Sequence, residues 1–129
     1  MSATNRYRNA ALFRSALRQF LRHSEQCARE HELTPSQYLL LLQIAGATGG
    51  STTISELTER LALTQSTVTE LVQRAEQAGL VQREGSKTDG RVVHLTLTEL
   101  GDERLEAVHD SLGPERAQLR RVVEQALGR

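Results

Sequence analysis

The chain has 129 residues and a mass of 14.3 kDa, enough for one modest core and short for an enzyme carrying its own substrate domain. Its 16 basic side chains balance 16 acidic ones, and a net charge of zero argues against indiscriminate nucleic-acid binding. No apolar run nears the roughly 20 residues of a membrane helix, no secretory pattern follows Arg6, Arg8 and Arg14, and the lone Cys27 cannot close an internal disulfide, so the expected compartment is the cytoplasm.

The first 30 residues hold six Arg against two Glu, and residues 60–91 hold five bases against four acids; the remainder is neutral to acidic. From about Asn9 to Ala28 the apolar residues Ala10, Phe13, Leu17, Phe20, Leu21, Cys27 and Ala28 recur at three- and four-residue steps, with Arg14, Arg18, Arg22 and Glu25 on the other side. That spacing predicts a long amphipathic helix. Next, Thr34 can cap, Pro35 suits the first helical position, Gln37 closes a capping box, and Leu33 with Tyr38 forms a hydrophobic staple. The helix so started runs to Gly46, and its apolar character on most sides predicts the core element.

Gly49-Gly50-Ser51 reads as a tight connector. A second capping box, Thr53-Ile54-Ser55-Glu56, opens a short helix with Leu57, Leu61 and Ile54 inward. Three residues, Ala62-Leu63-Thr64, lead to a helix over 64–78 whose stripe is Val68, Leu71, Val72, Ala75 and Ala78, ended by Gly79. Leu80 to Arg83 and Val92 to Leu97 then predict an antiparallel hairpin with a long charged tip. Thr98 caps a helix with Leu100, Leu105, Val108 and Leu112, and beyond Gly113-Pro114 a last helix carries Leu119, Val122, Val123, Ala126 and Leu127. Little monomer core remains for both C-terminal helices to cover, so a partner surface is the expected use.

The fold class expected is mainly α with a small β-hairpin: a winged helix-turn-helix over 34–97, between dimerisation helices at 5–31 and 98–129, all one domain. A recognition helix needs an apolar stripe inward and short polar side chains outward. Gln65, Ser66, Thr67, Thr69, Glu70, Gln73 and Arg74 supply the polar face, as they would on an ordinary surface helix. The hairpin adds weight to DNA. In the wing over 84–91, Lys87 and Arg91 can reach a minor groove where negative potential concentrates, with Asp89 positioning Arg91.

Ile54-Ser55-Glu56-Leu57 to Leu61, Thr67-Val68-Thr69 to Leu71-Val72, Ala78-Gly79-Leu80-Val81, Asp89-Gly90-Arg91, and Leu97-Thr98 to Gly101 resemble the multiple antibiotic resistance regulator (MarR) family of bacterial transcription factors. The resemblance runs along nearly the whole chain, and the Asp-x-Arg wing followed by Leu-Thr-x-x-Gly is its most specific part. It implies a homodimer with interlocked terminal helices and two winged units on a near-palindromic operator. It further implies regulation, commonly by a small aromatic or phenolic effector, in some branches by thiol oxidation or a metal. Glu70 and Gly90 stand where many members carry bases, which implies fewer phosphate contacts; Glu70 either accepts from cytosine N4 or weakens binding as a surface glutamate.

Phe13, Phe20 and Tyr38 can line an aromatic effector pocket or simply fill core. His23, Cys27 and His31 fall on one helix face, with His109 as a further metal ligand, but eight helical residues span roughly 12 Å, so the three cannot share one ion. A buried Cys27 thiol fits inert packing as well as peroxide sensing. No cofactor is expected. Nor is an enzyme: no glycine-rich phosphate loop, zinc-protease spacing or nucleophile elbow occurs. A protein-interaction module that uses the fold without DNA is the remaining alternative.

Overall fold

The apolar stripe of the N-terminal segment sustains a helix well beyond the residues that define it. In this computed structural model, which describes residues 3–85 and 92–127, α1 spans Ala3–Glu30, beginning before the expected start at Asn9. It buries only Ser24, Cys27 and Ala28. Leu12, Phe13, Leu17 and Leu21 stay 38–51% exposed, because this part of α1 runs past the core and packs beside the last helix. Periodicity identified the helix correctly, but most of its stripe is not core.

The central helix α2, Pro35–Ala45, starts as its sequence predicts. The Gln37 amide N–H donates to Thr34 Oγ1 at 3.1 Å, and the Thr34 N–H donates to Gln37 Oε1 at 3.0 Å. The staple residues Leu33 and Tyr38 are both buried. Leu40, Leu41 and Ile44 are fully enclosed, and α2 touches α1, and also α3 (Ile54–Leu61), α4 (Gln65–Gln77), α5 (Glu99–Ser111) and β2 (Val93–Leu97). It is the hub of a core completed by Leu57, Val68, Val72, Ala75, Leu80, Leu95, Val108 and Leu112. Each such aliphatic side chain contributes about 1.5–3 kcal/mol on burial. Leu39 and Leu42, however, lie outward, so α2 is not apolar-buried on every side.

After a 3₁₀ turn at Thr48–Gly50, Thr52 pairs with Leu95 through two backbone bonds, N–H to carbonyl in each direction, at 3.2 and 2.7 Å. This isolated bridge was not expected from sequence; it adds a third short segment beside the hairpin. The second capping box forms by half. The Glu56 N–H donates to Thr53 Oγ1, while the Glu56 carboxylate accepts from the Thr52 and Thr53 hydroxyls, not from the Thr53 backbone.

Strand β1, Val81–Gly85, pairs antiparallel with β2, Val81 opposite Leu97 and Gly85 opposite Val93. The expected wing residues Lys87, Asp89, Gly90 and Arg91 lie outside the described residues. Two stripe residues are corrected: Ala78 is the exposed C-cap of α4, and Leu100 faces outward on α5. Helix α6, Gly113–Ala126, buries no residue fully, and Leu127 beyond it is 71% exposed.

One junction ties these pieces together. Gly79 takes the left-handed conformation (φ +76°) that ends α4 and turns the chain into β1. The Thr98 N–H donates to the Leu80 carbonyl at 3.0 Å, its hydroxyl donates to the Gly79 carbonyl, and its oxygen caps α5 by accepting from the Gly101 N–H at 3.1 Å. Gly101 lies against the Leu80 carbonyl so closely that a β-carbon there would sit 2.2 Å from that oxygen.

Gly101→Ala should therefore destabilise the protein by about 3 kcal/mol, since backbone and not a flexible side chain has to move. A urea midpoint unchanged from the parent would contradict this packing. A second expectation concerns Tyr38. Burial raises its hydroxyl above the ordinary value of 10.0, with the Arg116 guanidinium opposing and Cys27 reinforcing the shift. The fold holds the neutral phenol, so this stability is complete below about pH 10 and is lost as pH rises through the elevated folded value, because the unfolded chain ionises first. Urea midpoints should fall as pH rises above about 10, and fall less steeply in Tyr38→Phe.

Candidate nucleic-acid interface

Helices α3 and α4 are joined by a turn that has no glycine. Ala62 adopts φ +54°, a left-handed conformation that costs a non-glycine residue about 1–2 kcal/mol, and the turn is held by the Leu63 N–H donating to the Thr58 carbonyl at 3.3 Å. Thr64 then caps α4 by accepting from the Thr67 N–H at 3.2 Å, and its hydroxyl lies 2.8 Å from that of Thr67 and 3.3 Å from that of Ser66. The first-turn hydroxyls are thus within hydrogen-bond distance of one another.

Val68, Val72 and Ala75 anchor α4 in the core, with Leu71 half-buried beside them. Gln65, Ser66, Thr67, Glu70, Gln73 and Arg74 are all exposed, as expected, and Thr69 is half-buried at the margin. At 3.6 residues per turn, Ser66, Glu70, Gln73 and Gln77 form the row directly opposite the buried stripe. Gln77 is an addition that sequence reading missed, although it sits four residues after Gln73. No acidic residue occupies the first turn of α4, which leaves the partial positive charge of its N-terminus uncompensated and suited to a phosphate.

The cation of this face is already engaged. Arg74 Nη2 donates to Glu70 Oε1 at 2.6 Å, one turn apart along the helix. Both side chains are more than half exposed, so the pair contributes only about 0.3–0.5 kcal/mol and is free to rearrange. A second pair, Arg83 Nε to Glu76 Oε1 at 2.8 Å, clamps β1 to α4, so that the hairpin and the helix present themselves as one unit.

The other residues singled out in the sequence do not converge. Cys27 is buried, its Sγ directed at the Val108 carbonyl at 3.8 Å. His31 Nε2 lies 3.0 Å from Ser111 Oγ, and His109 is held by Arg116, whose Nη1 donates to the His109 carbonyl at 2.7 Å. Among the described residues no three His, Cys, Asp or Glu side chains gather around a metal position, and His23 faces α6 instead. The three aromatic residues also part company. Tyr38 is in the core, Phe13 borders an open groove with Leu17 and Leu21, and Phe20 lines a space of about 110 Å³ between α1 and α6. That volume is well below the roughly 300–1,000 Å³ typical of ligand sites. Among the described residues no helix is long and apolar enough to cross a membrane.

Comparison with known proteins places this geometry. A family model described as "MarR family" matches residues 31–92, from the α1–α2 turn to the edge of β2. The chain is 37% identical over 76 residues, 59% of its own length and 48% of the other's, to the HTH-type transcriptional repressor MdtR of Bacillus subtilis (strain 168). It spans about half the length of such curated relatives. Among solved structures, the YusO protein of Bacillus subtilis is 30% identical, with a TM-score of 0.65 over 96% of this chain and 85% of that one. A cysteine-to-serine mutant of MarR from E. coli, complexed with operator DNA, shares the fold at 21% identity, with a TM-score of 0.69 over 92% of this chain and 85% of that one. With its winged unit matched in sequence and nearly its whole length matched in structure, the chain belongs to the MarR family of winged helix-turn-helix proteins.

Proposed function

We propose that the protein is a homodimeric, sequence-specific DNA-binding transcriptional regulator, a repressor acting on a near-palindromic operator. The observation that carries this reading is α4 itself: an anchored helix with an exposed row of amide, hydroxyl and carboxylate groups and no acid in its first turn. Helix α4 enters the major groove, where such groups match base edges, and the wing over 84–91 follows the minor groove with Lys87 and Arg91, positioned by Asp89. The named activity of MdtR and the operator DNA bound to MarR support the assignment.

Dimerisation is supported by what the protomer leaves uncovered. Leu12, Phe13, Leu17 and Leu21 on α1 and Leu127 after α6 are exposed large apolar side chains along the two terminal helices. A second copy of the chain covers them and sets the spacing of two winged units. A small aromatic or phenolic effector acts by changing that spacing, and the junction of α1, α2 and α5 around Tyr38 and Cys27 is the place from which both layers can be moved.

Fluorescence anisotropy with labelled upstream duplexes should show specific binding that weakens as salt rises, with a shallow slope because the α4 face offers one paired cation. Binding absent from every promoter fragment, or indifferent to salt, sinks the reading. Arg91→Ala should lower affinity for all sequences and reduce the salt slope by about 1, whereas Gln65→Ala or Thr67→Ala should alter sequence preference. Replacing Leu17 and Leu21 together by Glu should yield a monomer in sedimentation whose operator affinity is down about a hundredfold, as half-sites lose their linkage. A double variant that remains dimeric would remove α1 from the interface. Phenolic acids that act as effectors should raise the melting temperature while releasing DNA.

A further inference from the structure

A carboxylate in the outermost row of a DNA-facing helix calls for an explanation, because it repels phosphates. Glu70 stands in that row, between Ser66 and Gln73, one turn before Arg74. Arg74 Nη2 donates to Glu70 Oε1 at 2.6 Å, and both side chains are more than half exposed in the free protein. An ionised carboxylate offers about four acceptor positions, so one bond from Arg74 biases its direction without exhausting it, and that bias strengthens when a groove excludes water from the pair. Glu70 itself is exposed on the side of α4 opposite Val68, Val72 and Ala75.

We propose that Glu70 selects a base bearing an exocyclic amine, cytosine first, with Arg74 as the positioning residue that holds the carboxylate in register. The reading rests on the major-groove placement of α4 proposed above. In that groove, the edges of guanine (N7, O6) and thymine (O4) present acceptors, which a carboxylate repels. Cytosine N4 and adenine N6 present donors. Adenine sets its N7 acceptor beside the amine, so a second carboxylate oxygen is repelled there, while cytosine imposes no such neighbour on its own edge. Glu70 therefore acts by exclusion as much as by attraction, and Arg74 offsets the carboxylate's charge against nearby phosphates. Because the pair is neutral together, it contributes selectivity without adding to the salt dependence.

The test is selection of bound duplexes from a random pool, run in parallel on the wild-type chain, Glu70→Ala, Glu70→Gln and Arg74→Ala, followed by anisotropy salt titrations of each. The wild type should show one position per half-site where cytosine is preferred over guanine or thymine by about five- to a hundredfold. Glu70→Ala should flatten that position, raise affinity for unrelated duplexes and steepen the salt slope by about one phosphate's worth, as Arg74 is released to the backbone. Glu70→Gln should move the preference to adenine, since an amide pairs with both N6 and N7. Arg74→Ala should weaken discrimination at the same position and leave the others intact, with Arg74→Lys restoring part of it. Identical base preferences in all of these proteins would overturn the proposal while leaving DNA binding standing. Failure of the wild type to enrich any duplex would overturn the DNA-binding reading, and this one with it. Circular dichroism melts keep a folding defect in any variant from passing as either result.

Discussion

The Leu80 carbonyl occupies the space where any other residue at 101 would place its β-carbon, and much of the molecule is arranged around that contact. The same oxygen accepts from the Thr98 N–H, and Thr98 also caps α5 and bonds the Gly79 carbonyl at the end of α4. Three directions are therefore fixed at one point: the exit of α4, the base of the hairpin and the start of the helix that leads toward α6. Close packing makes such a point stiff, because no side chain can yield there. The Leu-Thr-x-x-Gly pattern is in this sense a packing device. Its threonine supplies three polar contacts, and its glycine supplies the room for them.

That rigidity matters because the face it presents is electrostatically modest. Arg74 is paired along α4 with Glu70, Arg83 is committed to Glu76, and Arg60 lies against Glu56 and the Gln43 carbonyl. On the DNA-binding function proposed above, a surface of this kind gains little from long-range attraction and draws its selectivity from the placement of its donors and acceptors. Tied hydroxyls at Thr64, Ser66 and Thr67 and the clamp from β1 onto α4 serve that end. They reduce the freedom that would otherwise be lost on binding.

How far the sequence anticipated this depended on whether the signal was local. Helix starts at Thr34, Thr53 and Thr98 were legible because a cap is the chemistry of one side chain and the N–H groups just beyond it, whereas Thr64, which caps α4 in the same way, was read only as part of the connector. Gly79 was legible for a similar reason. The Thr52–Leu95 bridge was not, since it joins residues that only the finished core brings together. The α1 stripe was ambiguous in a different way. A period of 3.6 says that one face is apolar, not what covers it, so the sequence alone does not separate core from partner surface at Phe13, Leu17 and Leu21, which are half-open in the protomer. On α4, the residues read as polar and outward are exposed except Thr69, which is half-buried. The Glu70–Arg74 pair was overlooked although its i, i+4 spacing is plain in the sequence, because the two were weighed as separate DNA contacts.

The same two observations, a stiff junction and an uncovered α1–α6 surface, bear on how the terminal helices are coupled to the α4 face. A small displacement of α5 cannot be absorbed at Gly101, where backbone meets backbone, so it must be passed to Leu80 and hence to both α4 and β1. On the other side, α5 touches α1, α2 and α6, and its buried Val108 faces Cys27. Helix α5 thus contacts both terminal helices, α1 and α6, and at its other end joins α2, β2 and the Leu80 junction. Packed helices shift as bodies more readily than they deform, so α5 is placed to couple the position of α1 and α6 to that of α4 and β1. Substitutions along the inner face of α5 should accordingly disturb coupling between the two layers more than either layer's own stability. This follows from the geometry of Thr98 and Gly101 without regard to which ligand, if any, initiates the movement.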